Sequence, residues 1–169
     1  MKQITSIFNR YLFTGLLVGL LVAVPVGFAL GFYFLPIIVA SEGATEIQIS
    51  TAKQNMLARA SFVKDLKGSD SMHWGEGELL ISKEDGQVYA TLDGEVAPGP
   101  DYKIYLTSMF VDDKDSFLAI KEDSQKVSEV NGFKNFRTML PASTEVRDYA
   151  AVVIWCERFE KFITAGRIK

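Results

Sequence analysis

The hydrophobic and polar positions divide the chain into two parts with different patterns. Residues 11–40 contain no charged side chain, and about 20 apolar residues are enough for a helix to cross the hydrocarbon core of a membrane. The pattern therefore predicts one transmembrane helix over 11–40. The apolar region of a cleaved signal peptide is only about 7–15 residues long. The length thus favours an uncleaved signal-anchor, although Val39-Ala40-Ser41 has the small residues of a cleavage site.

From Ser61 onwards the pattern is typical of β-strands. Short runs rich in Val, Ile, Tyr and Phe alternate with clusters of Gly, Asp, Asn and Pro, as in all-β sandwiches and barrels. We therefore predict an all-β fold, a small β-sandwich or barrel-like domain over 61–169, preceded by the one transmembrane helix. The polar residues 41–60 have too few apolar positions for a strongly amphipathic helix and are interpreted as a stalk.

Individual strands follow from the same pattern. Residues 79–92 predict a β-hairpin that turns at Asp85-Gly86, because a type I′ turn needs positive φ angles that Asp and Gly adopt at little cost. Val88, Ala90 and Leu92 then share one face of its second strand. Further strands are predicted at 102–107, with Ile104 and Leu106 pointing inward, at 133–140 and at 161–164, and loops at 110–128 and 143–148.

The most strand-like run is 149–156, and it ends at the chain's only cysteine. Both of its faces are apolar, which predicts a central strand that is covered on both sides. One face carries Ala150, Val152, Ile154 and Cys156, and the other carries Ala151, Val153 and Trp155.

The charges are distributed unevenly between the two parts. Lys2 and Arg10 are the only charged residues before residue 41, and all 21 acidic residues follow it. The positive-inside rule therefore places residues 1–10 in the cytoplasm and the domain outside it, in a single-pass protein of the cell membrane whose first partner is the lipid bilayer. A mildly acidic domain without a Lys/Arg run argues against nucleic acid as a partner.

Small residues recur every fourth position in the apolar segment, at Gly15, Gly19, Ala23, Gly27 and Gly31. Such spacing permits close packing against a second helix and makes a homodimer a candidate. The alternative is that glycine is simply frequent in membrane helices, and Pro25 and Pro36 would kink a long interface.

The lone Cys156 leaves three alternatives open, since one cysteine cannot form an internal disulfide: a buried packing thiol, an intermolecular bridge or a reactive thiol. Reactivity requires a pKa lowered by a nearby cation or helix N-terminus. Arg158 and Lys161 are the nearest cations along the chain.

His73 is the only histidine. It is a candidate haem ligand, with Met72, Met109 or Met139 as the second ligand, or else a histidine hydrogen-bonded beside a glycine turn. The acidic run 112–115 lacks the spacing of an EF-hand and is interpreted as a solvated loop. The sequence has no Gly-x-Ser-x-Gly and no glycine-rich phosphate loop, so no catalytic constellation assigns an enzyme activity.

Several motifs taken together resemble the electron-transfer DM-thirteen domain family. They are Phe62, His73-x-Gly75-x-Gly77, Gly99-Pro100-Asp101 before Tyr105-Leu106, Phe136 with Pro141, and Val152 to Trp155-Cys156-x-x-Phe159 with Phe162 and Ala165. The resemblance runs from near Ala60 to the C-terminus, and its most specific part is the Trp155-Cys156-x-x-Phe159 block. It implies a β-sandwich-like domain related to the haem- and sugar-binding DOMON domains, with the cysteine as a redox centre. Phe136 stands where the family usually has tyrosine.

Two hypotheses about function follow. The first is a membrane-anchored extracytoplasmic domain with a redox or electron-transfer role centred on Cys156, with Trp155, Phe159 and His73 around it. The second is a non-enzymatic binding module at the cell surface, in which Cys156 is core packing and exposed loops such as 108–116 carry the function.

Overall fold

The computed structural model describes residues 2–169, except for the side chains of residues 2–8, 33, 36 and 37. The chain forms two compact units, residues 1–38 and 39–169. The first unit is helix α1, Lys2–Ile38. Its stretch Asn9–Phe32 is long and apolar enough to cross a membrane, with a mean hydropathy of 2.3. The predicted apolar helix is confirmed, although a signal sequence would have the same properties and its orientation stays a prediction.

The second unit is a β-sandwich, which confirms the predicted fold class. Its eight strands form two antiparallel sheets of four, in the orders β1-β2-β3-β6 and β5-β4-β7-β8. The strands are β1 Met56–Phe62, β2 Gly75–Glu84, β3 Gln87–Val96, β4 Tyr102–Thr107, β5 Gln125–Val130, β6 Arg137–Leu140, β7 Ala151–Cys156 and β8 Lys161–Arg167. The remaining elements are the helices α2, Glu46–Gln54, and α3, Lys114–Leu118, and a 3-10 turn at Val146–Asp148.

The core lies between the two sheets because alternate residues of each strand point inward. The hairpin β2–β3 shows this as predicted: it turns at Asp85 and Gly86, with φ angles of 49° and 85°, and it buries Val88, Ala90 and Leu92. The two sheets also meet at their edges. Ala60 of β1 bridges to Ile168 after β8, and the Ser128 and Thr138 hydroxyls of β5 and β6 lie 2.6 Å apart.

Residues 41–60, predicted to be a stalk, instead belong to the domain. Helix α2 begins in a capping box, in which Gln48 N donates to Thr45 Oγ1 at 3.3 Å and Thr45 N donates to Gln48 Oε1 at 2.9 Å. Ile49 and Ala52 pack on Leu80, on the outer face of the first sheet. Two buried residues three positions apart are enough to seat a short helix, and they escape a search for a broad apolar stripe.

The predicted loop 110–128 was wrong in part, because it contains α3 and the first four residues of β5. Helix α3 is held by Phe117, which is fully buried, and by Asp113, whose Oδ1 accepts from Ser116 N at 2.8 Å. Strand β5 lies at a sheet edge and buries only Val127 and Val130, so its sequence alternates weakly.

Strand β6 is shorter than the predicted 133–140 and begins at Arg137. Asn135 has a φ of 48°, which lies outside the strand region. This conformation is held by two hydrogen bonds to Gly94: Gly94 N donates to Asn135 Oδ1 at 3.0 Å, and Asn135 N donates to Gly94 O at 2.8 Å.

Strand β7 is central, as predicted. It lies between β4 and β8, and all six of its residues are buried. Val152, Ile154 and Cys156 contact the core between the sheets, whereas Val153 and Trp155 belong to a second apolar cluster on the outer face. The loop 108–124 and helix α3 cover that outer face, because Phe117 and Val111 are part of the same cluster.

Candidate functional site

The end of β7 brings the candidate chemistry together. On the inner face Cys156 is 2% exposed and pairs with Tyr102 of β4 and Lys161 of β8. Its Sγ donates to the carbonyl oxygen of Pro100 at 3.0 Å. That carbonyl belongs to the 98–101 loop, where the glycine is required because a Cβ on Gly99 would overlap the Tyr102 ring.

The surroundings of Cys156 favour the neutral thiol. Burial raises its pKa, and the charge of Asp101 adds to that effect. The backbone N–H groups of Phe159 and Arg158 and the charge of Arg158 act in the opposite direction but are outweighed. The charge of Arg158, one of the two cations nearest along the chain, lowers the pKa of this thiol but does not overcome the effect of burial.

On the outer face Trp155 lies in an aromatic cluster with Phe117 and Tyr105. The ring centroids of Trp155 and Phe117 are 5.0 Å apart, and those of Phe117 and Tyr105 are 5.2 Å apart. These separations are typical of favourable aromatic pairs. Trp155 is fully buried, so the cluster works as a second small core outside the sandwich.

Glu157, the residue after Cys156, connects this aromatic cluster to two polar partners. The hydroxyl of Tyr105 donates to Glu157 Oε1, and Lys121 Nζ donates to Glu157 Oε2 at 2.6 Å. The same ammonium lies 5.3 Å from the centroid of the Trp155 ring and 5.8 Å from that of Tyr105. Tyrosine, carboxylate and ammonium thus form one connected network over the tryptophan.

The ionisation of this network follows from its contacts. Burial alone would raise the pKa of Glu157, but the hydrogen bonds from Lys121 and Tyr105 and the charge of Lys121 outweigh it, so the pKa is lowered. Burial and the Glu157 carboxylate together raise the pKa of Tyr105 far above its ordinary value. The Trp155 Nε1–H also helps to lower the pKa of Glu157, although it does not reach hydrogen-bond geometry with any described group. At neutral pH the network therefore holds a carboxylate, an ammonium and a neutral phenol.

His73 lies in the loop between β1 and β2, at the same end of the sandwich as Cys156. Its Nδ1 is 2.8 Å and 2.9 Å from the two Asp70 carboxylate oxygens, and Asp70 Oδ1 also accepts from the backbone N–H of Met72 at 2.7 Å and of His73 at 2.8 Å. The hydrogen bond from His73 is the main reason why the pKa of Asp70 is lowered. The histidine thus closes a tight turn.

The surroundings of His73 do not fit a haem. The cavity beside this turn, about 610 Å³, is open to solvent and does not include His73 among its lining residues; these are Lys64, Asp65, Leu66, Ser69, Asp70, Ser71 and Trp74. Met72, Met109 and Met139, the predicted second ligands, are exposed on the surface. Within the described residues, no group of three or more His, Cys, Asp or Glu side chains converges to hold a metal ion.

The four predicted site residues are therefore only partly brought together. Cys156 and Trp155 are adjacent but point to opposite faces of the sheet, and Phe159 lies in the turn from β7 to β8 with 52% of its surface exposed. Sequence reasoning gave no role to Lys121 and Glu157, and it named Tyr105 only as part of the family motif. The alternation along β7 puts Glu157 on the face of Trp155, and the alternation along β4 puts Tyr105 opposite Ile104 and Leu106. Lys121 has no comparable signal.

The fold and this site define a β-sandwich domain whose central strand ends in a buried thiol on one face and an ionisable aromatic network on the other. The chain belongs to the Electron transfer DM13 family, whose sequence profile matches residues 65–168. The match contains β2 to β8, Cys156 and the whole aromatic network. No curated protein and no solved structure matches the chain significantly.

Proposed function

We propose that the protein is a membrane-anchored electron-transfer domain that faces the extracytoplasmic side and uses Cys156 as its redox group. The observation that carries this proposal is the position of Cys156 at the end of the central strand, with its Sγ bonded to Pro100 O at 3.0 Å, in a chain of an electron-transfer family. The backbone N–H groups of Arg158 and Phe159 favour the thiolate and would stabilise negative charge on the sulfur.

The burial of Cys156 restricts how this residue works. At 2% exposure the sulfur cannot meet a second protein thiol directly, so disulfide exchange with a partner would require the 157–160 turn to open. One-electron transfer does not require direct contact. The domain is therefore proposed to pass single electrons: a one-electron oxidant of a partner protein takes the electron, the S–H bond of Cys156 breaks to leave a thiyl radical, and the proton goes to solvent water.

The decisive experiment is voltammetry of the full-length protein reconstituted in lipid nanodiscs. The proposal expects a one-electron response of the thiol that Cys156→Ser abolishes while the variant stays folded by circular dichroism. Val152→Ala is the matched control, because it weakens the same face of the same strand without touching the thiol, and it should keep the response. An unchanged response in Cys156→Ser would contradict the role of the cysteine.

A binding module with Cys156 as core packing is the second candidate, and the raised pKa of this buried thiol favours it. In that case Cys156→Ser costs stability alone, and loss of function maps to exposed positions of the 108–116 loop. Partner capture by the intact protein, compared between Cys156→Ser and substitutions of the exposed Met109, separates the two candidates.

The orientation of the chain is proposed from the two basic residues on the N-terminal side of the apolar segment. Protease added outside intact cells should digest residues 39–169. Protection of this domain from the protease would contradict the proposed orientation.

Pairing of two α1 helices through Gly15, Gly19, Ala23, Gly27 and Gly31 is proposed on their four-residue spacing. Cross-linking of the full-length protein in membranes should give a dimer that is lost in the double variant Gly19→Leu/Gly27→Leu. Persistence of the dimer in that variant would rule out this interface.

A further inference from the structure

The network on the outer face of β7 contains a phenol that is bonded directly to an ionised carboxylate. Tyr105 is 5% exposed and donates to Glu157 Oε1. We propose that Tyr105 is a second redox-active residue of this domain, which gives up one electron while its phenolic proton moves to Glu157. This inference rests on the proposed electron-transfer function but not on the role of Cys156.

The proton acceptor is what makes this oxidation possible in a buried site. Removal of an electron makes a phenol strongly acidic, and a buried cation without a partner is costly. A base already within hydrogen-bond distance takes the proton in the same step. Glu157 meets this requirement because Lys121, 2.6 Å from its Oε2, keeps the carboxylate ionised.

The step balances as follows. The O–H bond of Tyr105 breaks, an O–H bond forms at Glu157 Oε1, and one electron leaves to a high-potential one-electron oxidant such as an oxidised metal centre of a partner protein. The products are a neutral phenoxyl radical and a neutral carboxylic acid. When an electron returns, the proton moves back to the phenol. Lys121 favours this return, because protonation of Glu157 leaves the ammonium without its counter-charge.

Lys121 also determines which ring keeps the oxidised state. Its ammonium lies 5.3 Å from the centroid of the Trp155 ring and so disfavours a tryptophan radical cation by charge repulsion in a buried environment. The Nε1–H of Trp155 forms no hydrogen bond to any described acceptor. Trp155 therefore lacks the direct hydrogen bond to Glu157 that Tyr105 has, although its Nε1–H is close enough to help lower the pKa of that carboxylate.

The domain contains a matched tyrosine with a neutral partner. The hydroxyl of Tyr149 donates to the amide oxygen of Gln125 at 2.6 Å. Both phenols are thus hydrogen-bonded, but an amide is far too weak a base to take a proton. Tyr149 should therefore be much harder to oxidise than Tyr105.

The test is flash photolysis of the full-length protein in detergent micelles, with photogenerated ruthenium(III) tris-bipyridine as the oxidant. Tyrosyl radical is followed by its absorption and by electron paramagnetic resonance. The wild type and Tyr149→Phe should both give the radical, and Tyr105→Phe should lose most of it. Glu157→Gln should form it on the order of 100-fold more slowly, the size of a general-base contribution, and should lose the deuterium solvent isotope effect on its formation.

Two results would overturn the proposal: an undiminished radical in Tyr105→Phe, or a wild-type rate in Glu157→Gln. Thermal unfolding of each variant shows that the comparison is made on folded protein. Cys156→Ser separates this inference from the first proposal. Loss of the voltammetric response with an intact Tyr105 radical supports both, and an unchanged response with an intact radical supports Tyr105 and rejects the cysteine.

Discussion

The two faces of strand β7 place neighbouring residues in different chemical environments. On the inner face Val152, Ile154 and Cys156 lie in a dry core between the sheets, where the thiol has one carbonyl partner and a raised pKa. On the outer face Trp155 is equally buried, but it lies beside a carboxylate, an ammonium and a phenol that hydrogen-bond to one another. The inner face can hold an electron-rich sulfur, whereas the outer face can also move a proton.

The difference shows that burial alone does not identify a reactive group. A charge that forms in a buried site needs a partner within reach. The hydrogen-bond partner of Cys156 is the carbonyl oxygen of Pro100, which cannot take the thiol proton. The partner of Tyr105 is the carboxylate of Glu157, which can take the phenol proton. The lone cysteine attracts attention in the sequence, but the more complete chemical environment lies on the other side of the strand.

The largest effect is expected from Trp155→Ala. The residue is fully buried against Phe117, so the truncation should lower the free energy of unfolding by about 3–5 kcal/mol, measured by guanidinium denaturation. It should also release Lys121 from the ring. A loss below about 1 kcal/mol would mean that the outer face is a surface patch and not a second core.

Glu157→Gln should cost less, about 1.5–3 kcal/mol, which is typical for hydrogen bonds to a charged group. Because the folded-state pKa of Glu157 is lowered, its stabilising contribution is present above the ordinary glutamate pKa of 4.5 and is lost as the pH falls through the folded value. Denaturation at pH 7 and at pH 3 should therefore show a smaller loss on acidification in the variant.

Glu160→Gln is the control for this change, since it removes an exposed carboxylate from the same turn. Its stability should stay within about 0.5 kcal/mol of the wild type. If acidification destabilises the wild type and Glu157→Gln equally, the Glu157 carboxylate does not stabilise the outer face by its charge.

Much of this architecture could be predicted from the sequence, but the network could not. Apolar residues on both faces identify β7 as a buried central strand, and Asp85-Gly86 locates the hairpin, because these signals are local. The partners of Glu157 are not local. Lys121 reaches it only because Phe117 anchors the 108–124 segment over the sheet, and that packing depends on the tertiary structure. Helix α2 was missed for a related reason, since its burial rests on two residues.

Cys156→Ser should have a modest effect on stability, about 1–2 kcal/mol, because a hydroxyl is poorly placed in an apolar core but can still donate to Pro100 O. In the native wild type a maleimide should not label Cys156, which is 2% exposed and has a raised pKa, and should label it fully in denaturant. Rapid labelling of the native protein would show that the inner face opens and that solvent reagents reach Cys156.

The smallest expected effect is a difference in how stability falls at alkaline pH, which distinguishes the two faces of β7. The folded-state pKa values of Cys156 and Tyr105 are both raised, so each group contributes stability that is complete below its unfolded pKa and is lost as the pH rises toward the folded value. The ordinary pKa values are 9.0 for cysteine and 10.0 for tyrosine, and one group changes the free energy of unfolding by at most about 1.4 kcal/mol per pH unit.

In the wild type the free energy of unfolding should therefore begin to fall near the ordinary pKa of cysteine. In Cys156→Ser this fall should begin about one pH unit higher, because the thiol contribution is absent, and Tyr105→Phe should make the later part shallower. Urea denaturation at closely spaced pH values measures both onsets, and identical curves for wild type and Cys156→Ser would show that the thiol is not shielded in the folded domain.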